Sequence, residues 1–225
     1  MSGSGVYVSQ AVEAVRRLHG GLLGAGFNAM PIREQLDAQA RNILDGHGRG
    51  EEGSTVHLTC WLPATIGWKP DRILARPLTL DEARLAIARE CGFADWAAVE
   101  ALGGQMHDPG FEAAVDAVVA GDLPTLTHML DERPELATMR SRFGHGSTLL
   151  HYVAANGVET YRQVTPLNAA DVASLLIARG ADVNAEAGMY GGRARTLGLM
   201  MTSDHPWRAG VQQEIARVLK AAGGT

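Results

Sequence analysis

The stretch from Thr148 to Ala185 constrains this chain more than any other part of it. It reads Thr148-Leu149-Leu150-His151, then Ala154-Ala155-Asn156-Gly157, and after a gap Ala173-Ser174-Leu175-Leu176-Ile177-Ala178-Arg179-Gly180-Ala181-Asp182-Val183-Asn184-Ala185. Gly157 and Gly180 stand where a helix ends, because glycine supplies positive φ without a steric penalty. Ala154 and Ala155 let neighbouring helices approach closely, and Leu175, Leu176 and Ile177 offer apolar surface to whatever stacks next. Short helices that cannot bury their faces alone must pile on one another.

The flanking sequence is self-similar to this block. Phe111–Leu130 reads as two short helices divided by Gly121-Asp122, with Pro124 at a first helical turn, where its missing N–H costs nothing. A looser unit runs from Thr196-Leu197-Gly198-Leu199 to Gly223. In order and spacing these blocks resemble the ankyrin repeat, with its Thr-Pro-Leu-His turn, Ala-Ala-x-x-Gly and Leu-Leu-x-x-Gly-Ala-Asp-x-Asn. The helix from Thr79, with its Gly92-Phe93-x-x-Trp96 continuation, is more loosely similar to the segment preceding such repeats in bacterial ankyrin-repeat proteins. The resemblance implies an all-α fold: a short, degenerate stack of about three units over residues 111–225, preceded by a helical region over 1–110. It also implies that His151 holds a turn through a backbone hydrogen bond.

Two departures mark where function is expected. Leu149 stands where the usual opening turn has Pro, and Leu199 where the third unit should have His. Between Gly157 and Gly180 there are about eleven residues more than a repeat of ~33 allows, carried by Val158–Asn168. A second insertion spans Thr202–Gly210. Stacking alone requires neither.

In the N-terminal region, helices are expected over Ser9–Leu18, Pro31–Leu44, from Thr79 with a capping box to Glu82, and from Asp95 to Leu102. His47–Ser54 reads as a Gly-rich loop and Val56–Trp61 as a short extended piece. Cys60 and Cys91 lack metal or disulfide spacing and read as buried thiols.

The remaining function classes are narrowed by charge and composition. A net charge of −5 with no Lys/Arg-rich run argues against nucleic acid as a partner. The longest apolar runs fall far short of the ~20 residues of a membrane helix, and the first five residues lack a basic leader, so a cytoplasmic location and no membrane partner are expected. No HxxxH or HExxH occurs and no carboxylates cluster beside a histidine pair in the sequence, so neither a metal nor another cofactor is expected. Ser147 and Ser203 lie outside any G-x-S-x-G elbow, and the Gly pairs are turns. Whether the chain is an enzyme is left open.

One constellation stands out. Tyr161, Arg162 and Gln163 in the first insertion, and Tyr190, Arg193 and Arg195 after it, are residue types favoured at binding hot spots, and an arginine pair can clamp a carboxylate. His145, on a Gly-flanked finger, and His205, before Pro206, add groups that titrate near neutrality. The leading expectation is a protein partner bound on the concave face and loops. The alternative is a small molecule or substrate in a polar pocket under the Tyr161 insertion. The plainer reading of the same residues is that Tyr152 packs between helices and the arginines solubilise a loop.

Overall fold

The computed structural model describes residues 5–23 and 29–225; residues 1–4, part of the stretch read as lacking a leader, lie outside the described residues. The chain forms two compact units. One is Gln10–His107, and the other joins Met1–Ser9 to Asp108–Thr225. The described residues are mostly helical, with two small two-stranded sheets, in keeping with an all-α class.

In the Gln10–His107 unit the helices are α1 (Gln10–His19), α2 (Ile32–Gly48), α3 (Glu52–Trp61), α4 (Pro70–Leu74), α5 (Leu80–Glu90) and α6 (Trp96–Glu100). Helix α3 is the hub and packs on α1, α2, α4 and α5. Of the apolar face expected for α2, Ile32, Leu36, Ala40 and Ile43 are fully buried and Leu44 is half-buried. The capping box of α5 is present, with Glu82 N–H donating to Thr79 Oγ1 at 3.3 Å and Thr79 N–H to Glu82 Oε2 at 3.1 Å.

The sequence reading of residues 45–61 is corrected in three places. Helix α2 continues to Gly48 beyond Leu44, α3 begins at Glu52 inside the supposed loop, and Val56–Trp61 is helical and not extended. The glycines here serve close packing. A Cβ on Gly53 would stand 2.5 Å from the Ala14 carbonyl oxygen, and one on Gly46 would collide with Leu18. The buried face of α3 is Ser54, Thr55, His57, Leu58 and Trp61, so polar side chains occupy the helical stripe and hide its period. Cys60 is exposed, contrary to expectation, while Cys91 is buried.

In the second unit α7 (Pro109–Ala120), α8 (Leu123–Glu132), α9 (Leu149–Tyr152), α10 (Ala169–Ala178), α11 (Thr196–Met201), α12 (Asp204–Arg208) and α13 (Gln212–Ala221) follow in order. Asp108 and Asp122 cap α7 and α8 through Phe111 N–H and Thr125 N–H. The packing is layered. Helices α7, α9 and α11 touch in succession, as do α8, α10 and α13, and each of α7–α8, α9–α10 and α11–α13 is a packed pair. Gly157 has φ +73°, and a Cβ there would collide with the Met189 side chain, so this position favours glycine.

Two sheets decorate these layers. Strand β1 (Val6–Tyr7) pairs antiparallel with β2 (Thr165–Pro166) in the long insertion. Strands β3 (Glu186–Met189) and β4 (Gly192–Arg195) form a hairpin in which Met189 faces Gly192. Its two turn residues, Tyr190 and Gly191, have φ +53° and +76°, the positive pair a right-twisted two-residue hairpin demands.

Candidate functional site

The first insertion does not display its charges; it folds them inward. Its single 3-10 turn, Thr160–Arg162, carries Arg162 onto the face of α7 that bears Glu112 and Asp116, one helical turn apart. Arg162 Nη1 donates to Glu112 Oε2 at 2.5 Å and Nη2 to Asp116 Oδ1 at 2.9 Å, while Glu159 Oε1 lies 3.5 Å from Nη1. Arg162 is only 4% exposed and Glu112 and Glu159 are buried, whereas Asp116 reaches solvent. Burial works against the guanidinium charge, but Tyr161, Glu112, Glu159 and Tyr152 outweigh it and hold the proton more firmly than usual.

Tyr152 O–H donates to Glu159 Oε1 at 3.3 Å, and His145 Nε2 stands 3.9 Å from the same oxygen. Burial, followed by the charges of Glu159 and Glu112, raises the Tyr152 phenol well above its ordinary range. His145 is buried, which corrects its reading as an exposed finger residue. Its Nδ1 accepts Ser147 N–H at 3.1 Å, which fixes the hydrogen of the neutral ring on Nε2. Burial, then the charge of His151, lowers its pKa to about 3.

The other expected residues fall elsewhere in the unit. Tyr161 is half-buried, with the Arg162 guanidinium 5.3 Å from its ring centre, and Gln163 donates to the Val158 carbonyl at 2.6 Å. Arg193 and Arg195 do clamp a carboxylate, but it is Glu186 of the same hairpin, at 2.7 and 3.5 Å. The Arg193 bond in particular holds the Glu186 carboxyl below its usual pKa. Tyr190 projects from the turn, its O–H donating to Asn156 Oδ1 at 2.6 Å. His205 lies edge-on to Tyr7, its pKa lowered by burial. Thus His145 and Arg162 converge on Glu159, and the hairpin residues form a separate group.

Sequence reasoning missed the carboxylates. Glu112 had a signal, since it shares a helical face with Val115 and Val119 inside an otherwise apolar α7. Glu159 had none.

A second buried cluster lies in the Gln10–His107 unit. Glu90 Oε2 is 2.5 Å from His57 Nδ1, and His57 Nε2 is 2.9 Å from His19 Nε2. A carboxylate does therefore stand beside a histidine pair, against the sequence reading, because residues 33 and 38 positions apart meet in space. Where His57 donates its Nδ1–H to Glu90 and accepts at Nε2, His19 is the donor of the ring–ring hydrogen bond. Burial, then His57, lowers the His19 pKa well below its ordinary value. The chain ties α1, α3 and α5 together. Among the described residues no three His, Cys, Asp or Glu side chains are grouped to hold a metal, and no helix is long and apolar enough to cross a membrane.

No protein-family model matches the chain, nor does any curated protein or solved structure match it significantly.

Proposed function

We propose that the second unit is a degenerate ankyrin-type stack that binds a protein partner, with the hairpin turn and the segment after it as the recognition edge. The observation that carries this reading is the exposure of three large apolar side chains there: Tyr190 at 62%, Met201 at 45% and Trp207 at 64%. Tyrosine and tryptophan are the side chains most often energetic at interfaces. Tyr190 is also pre-set, because its turn fixes the backbone and Asn156 holds its hydroxyl, so little freedom is left to lose on binding. The two successions of stacked helices support the repeat assignment.

The test is photo-crosslinking from positions 190 and 207, identification of the captured protein, and titration of that purified protein. Tyr190→Ala with Trp207→Ala should weaken binding at least ~10-fold, each lost hot spot being worth more than ~1 kcal/mol, with the melting temperature unchanged. Absence of a saturable partner, or a partner indifferent to both changes, overturns the reading.

A small-molecule reading is favoured by one other observation. Among the described residues, Arg162 Nε and His145 Nε2 are buried without a hydrogen-bond partner, and buried donors ordinarily find acceptors. A thermal-shift screen of hydroxyl- and carboxyl-bearing metabolites checks it, since a ligand at 100 times its Kd adds about 2.7 kcal/mol.

A further inference from the structure

Ser147 and Thr148 are consecutive residues at the end of the finger, and each backbone N–H is received by a histidine ring. Ser147 N–H donates to His145 Nδ1 and Thr148 N–H to His151 Nδ1, both at 3.1 Å. Thr148 Oγ1 is 2.9 Å from the same Nδ1 of His151. An imidazole nitrogen accepts only while it carries no proton; the imidazolium has a donor at both nitrogens. Protonating His145 therefore sets N–H against N–H where a hydrogen bond stood, and protonating His151 does the same to Thr148 N–H while turning Nδ1 toward Thr148 Oγ1 as a donor.

The finger so held supports the hairpin. Gly188 N–H of β3 donates to the His145 carbonyl at 2.8 Å, and Arg140 Nη1 bridges the Gly146 and Glu186 carbonyls at 2.7 and 2.8 Å. We propose that His145 and His151 form an acid-released latch: neutral, they lock the finger against the hairpin that presents Tyr190, and the uptake of two protons frees it. That release would weaken partner binding rests on the preceding functional reading; the latch itself does not.

Burial keeps both rings neutral against a mixed set of neighbours. Around His145 stand Glu159 and Glu112, which favour the charged ring, and Arg162 and His151, which oppose it, with Phe143 and Tyr152 as aromatic walls. Around His151 the backbone of Ala194 and Ala185 and the Asp182 carboxylate favour charge, while Arg140 opposes it. Burial dominates both balances and leaves the pKa values near 3 and 4, against 6.5 for a freely solvated ring. An opened finger releases both rings to water, so below pH 6.5 opening is linked to two protons.

Amide hydrogen exchange of the full chain tests this. Corrected for intrinsic rates, protection of the Ser147 and Thr148 amides should fall about 100-fold per pH unit between roughly pH 6 and 4.5, ten for each proton. The Leu219 amide in α13 should remain more strongly protected than either of these throughout that range. His145→Asn or His151→Asn retains an acceptor without titrating and should reduce the fall to about tenfold per unit. Nitrogen-15 spectra of the unsubstituted chain give an independent check should either variant fail to fold. Both rings should show Nδ1 without hydrogen at neutral pH. A ring found with its hydrogen on Nδ1, protection independent of pH, or Ser147 and Thr148 amides as strongly protected as Leu219 throughout would each overturn the latch.

Discussion

Single residues in this chain are set by backbone conformation and by charge in low dielectric. Gly180 has φ +94° with open space beside it, so Gly180→Val introduces strain without collision and should cost more than ~1 kcal/mol in urea unfolding. Gly157→Ala should cost more again, because it meets Met189 as well as a positive φ. Arg162→Met removes the charge that balances buried Glu112 and Glu159. Breaking one side of such a pair costs about 3–5 kcal/mol, so this variant should lower the melting temperature sharply. Had Arg162 merely solubilised a loop, the change would be nearly silent. The type of Gly180 and the location of Arg162 in an insertion are both legible in the sequence, whereas the inward course of the arginine depends on Glu112 and Glu159, fifty and three positions before it.

Elements were legible wherever hydrophobicity follows the period of the helix. Helices α2, α5, α7, α8 and α10 announce themselves through apolar stripes, caps and terminal glycines, and they are where those signals put them. Helix α3 breaks the correspondence because Ser54, Thr55 and His57 face inward, their polar atoms satisfied by backbone carbonyls and by the Glu90–His57–His19 chain. That chain gives α3 a signature of its own. Glu90→Gln leaves the geometry but withdraws the negative charge from His57, and the Gln10–His107 unit should lose about 1 kcal/mol, the difference between a hydrogen bond to a charged group and one between neutral groups. Thermal unfolding followed by the fluorescence of Trp61 and Trp68 reads the effect in this unit. The same blindness applies to the candidate site: Tyr, Arg and His could be picked out by type, but partners supplied by distant elements could not.

Across the whole molecule, depressed histidine pKa values give stability a common sign. His19 in one unit and His145, His151 and His205 in the other all bind protons less readily when folded than the ordinary 6.5. The unfolded chain then holds more protons than the folded one below pH 6.5, so stability is fully present above that value and falls as the pH drops toward the folded pKa values. At pH 5.5, His145 and His151 alone should remove on the order of 1 kcal/mol each. Urea titrations at pH 7.5, 6.5 and 5.5 should show little change across the first step and a clear loss across the second. A chain most stable at pH 5.5 would contradict the burial of these rings.

The pairing of Val6–Tyr7 with Thr165–Pro166 also sets a timetable. In synthesis the first strand leaves the ribosome roughly 160 residues ahead of its partner, which at about 5–20 residues per second is a wait on the order of ten seconds or more. During that interval the whole Gln10–His107 unit emerges and can fold, while the opening segment has nothing to pair with. A segment made later thus completes one made much earlier, and a nascent chain halted before Thr165 should hold the Gln10–His107 unit beside an unpaired Val6–Tyr7 strand.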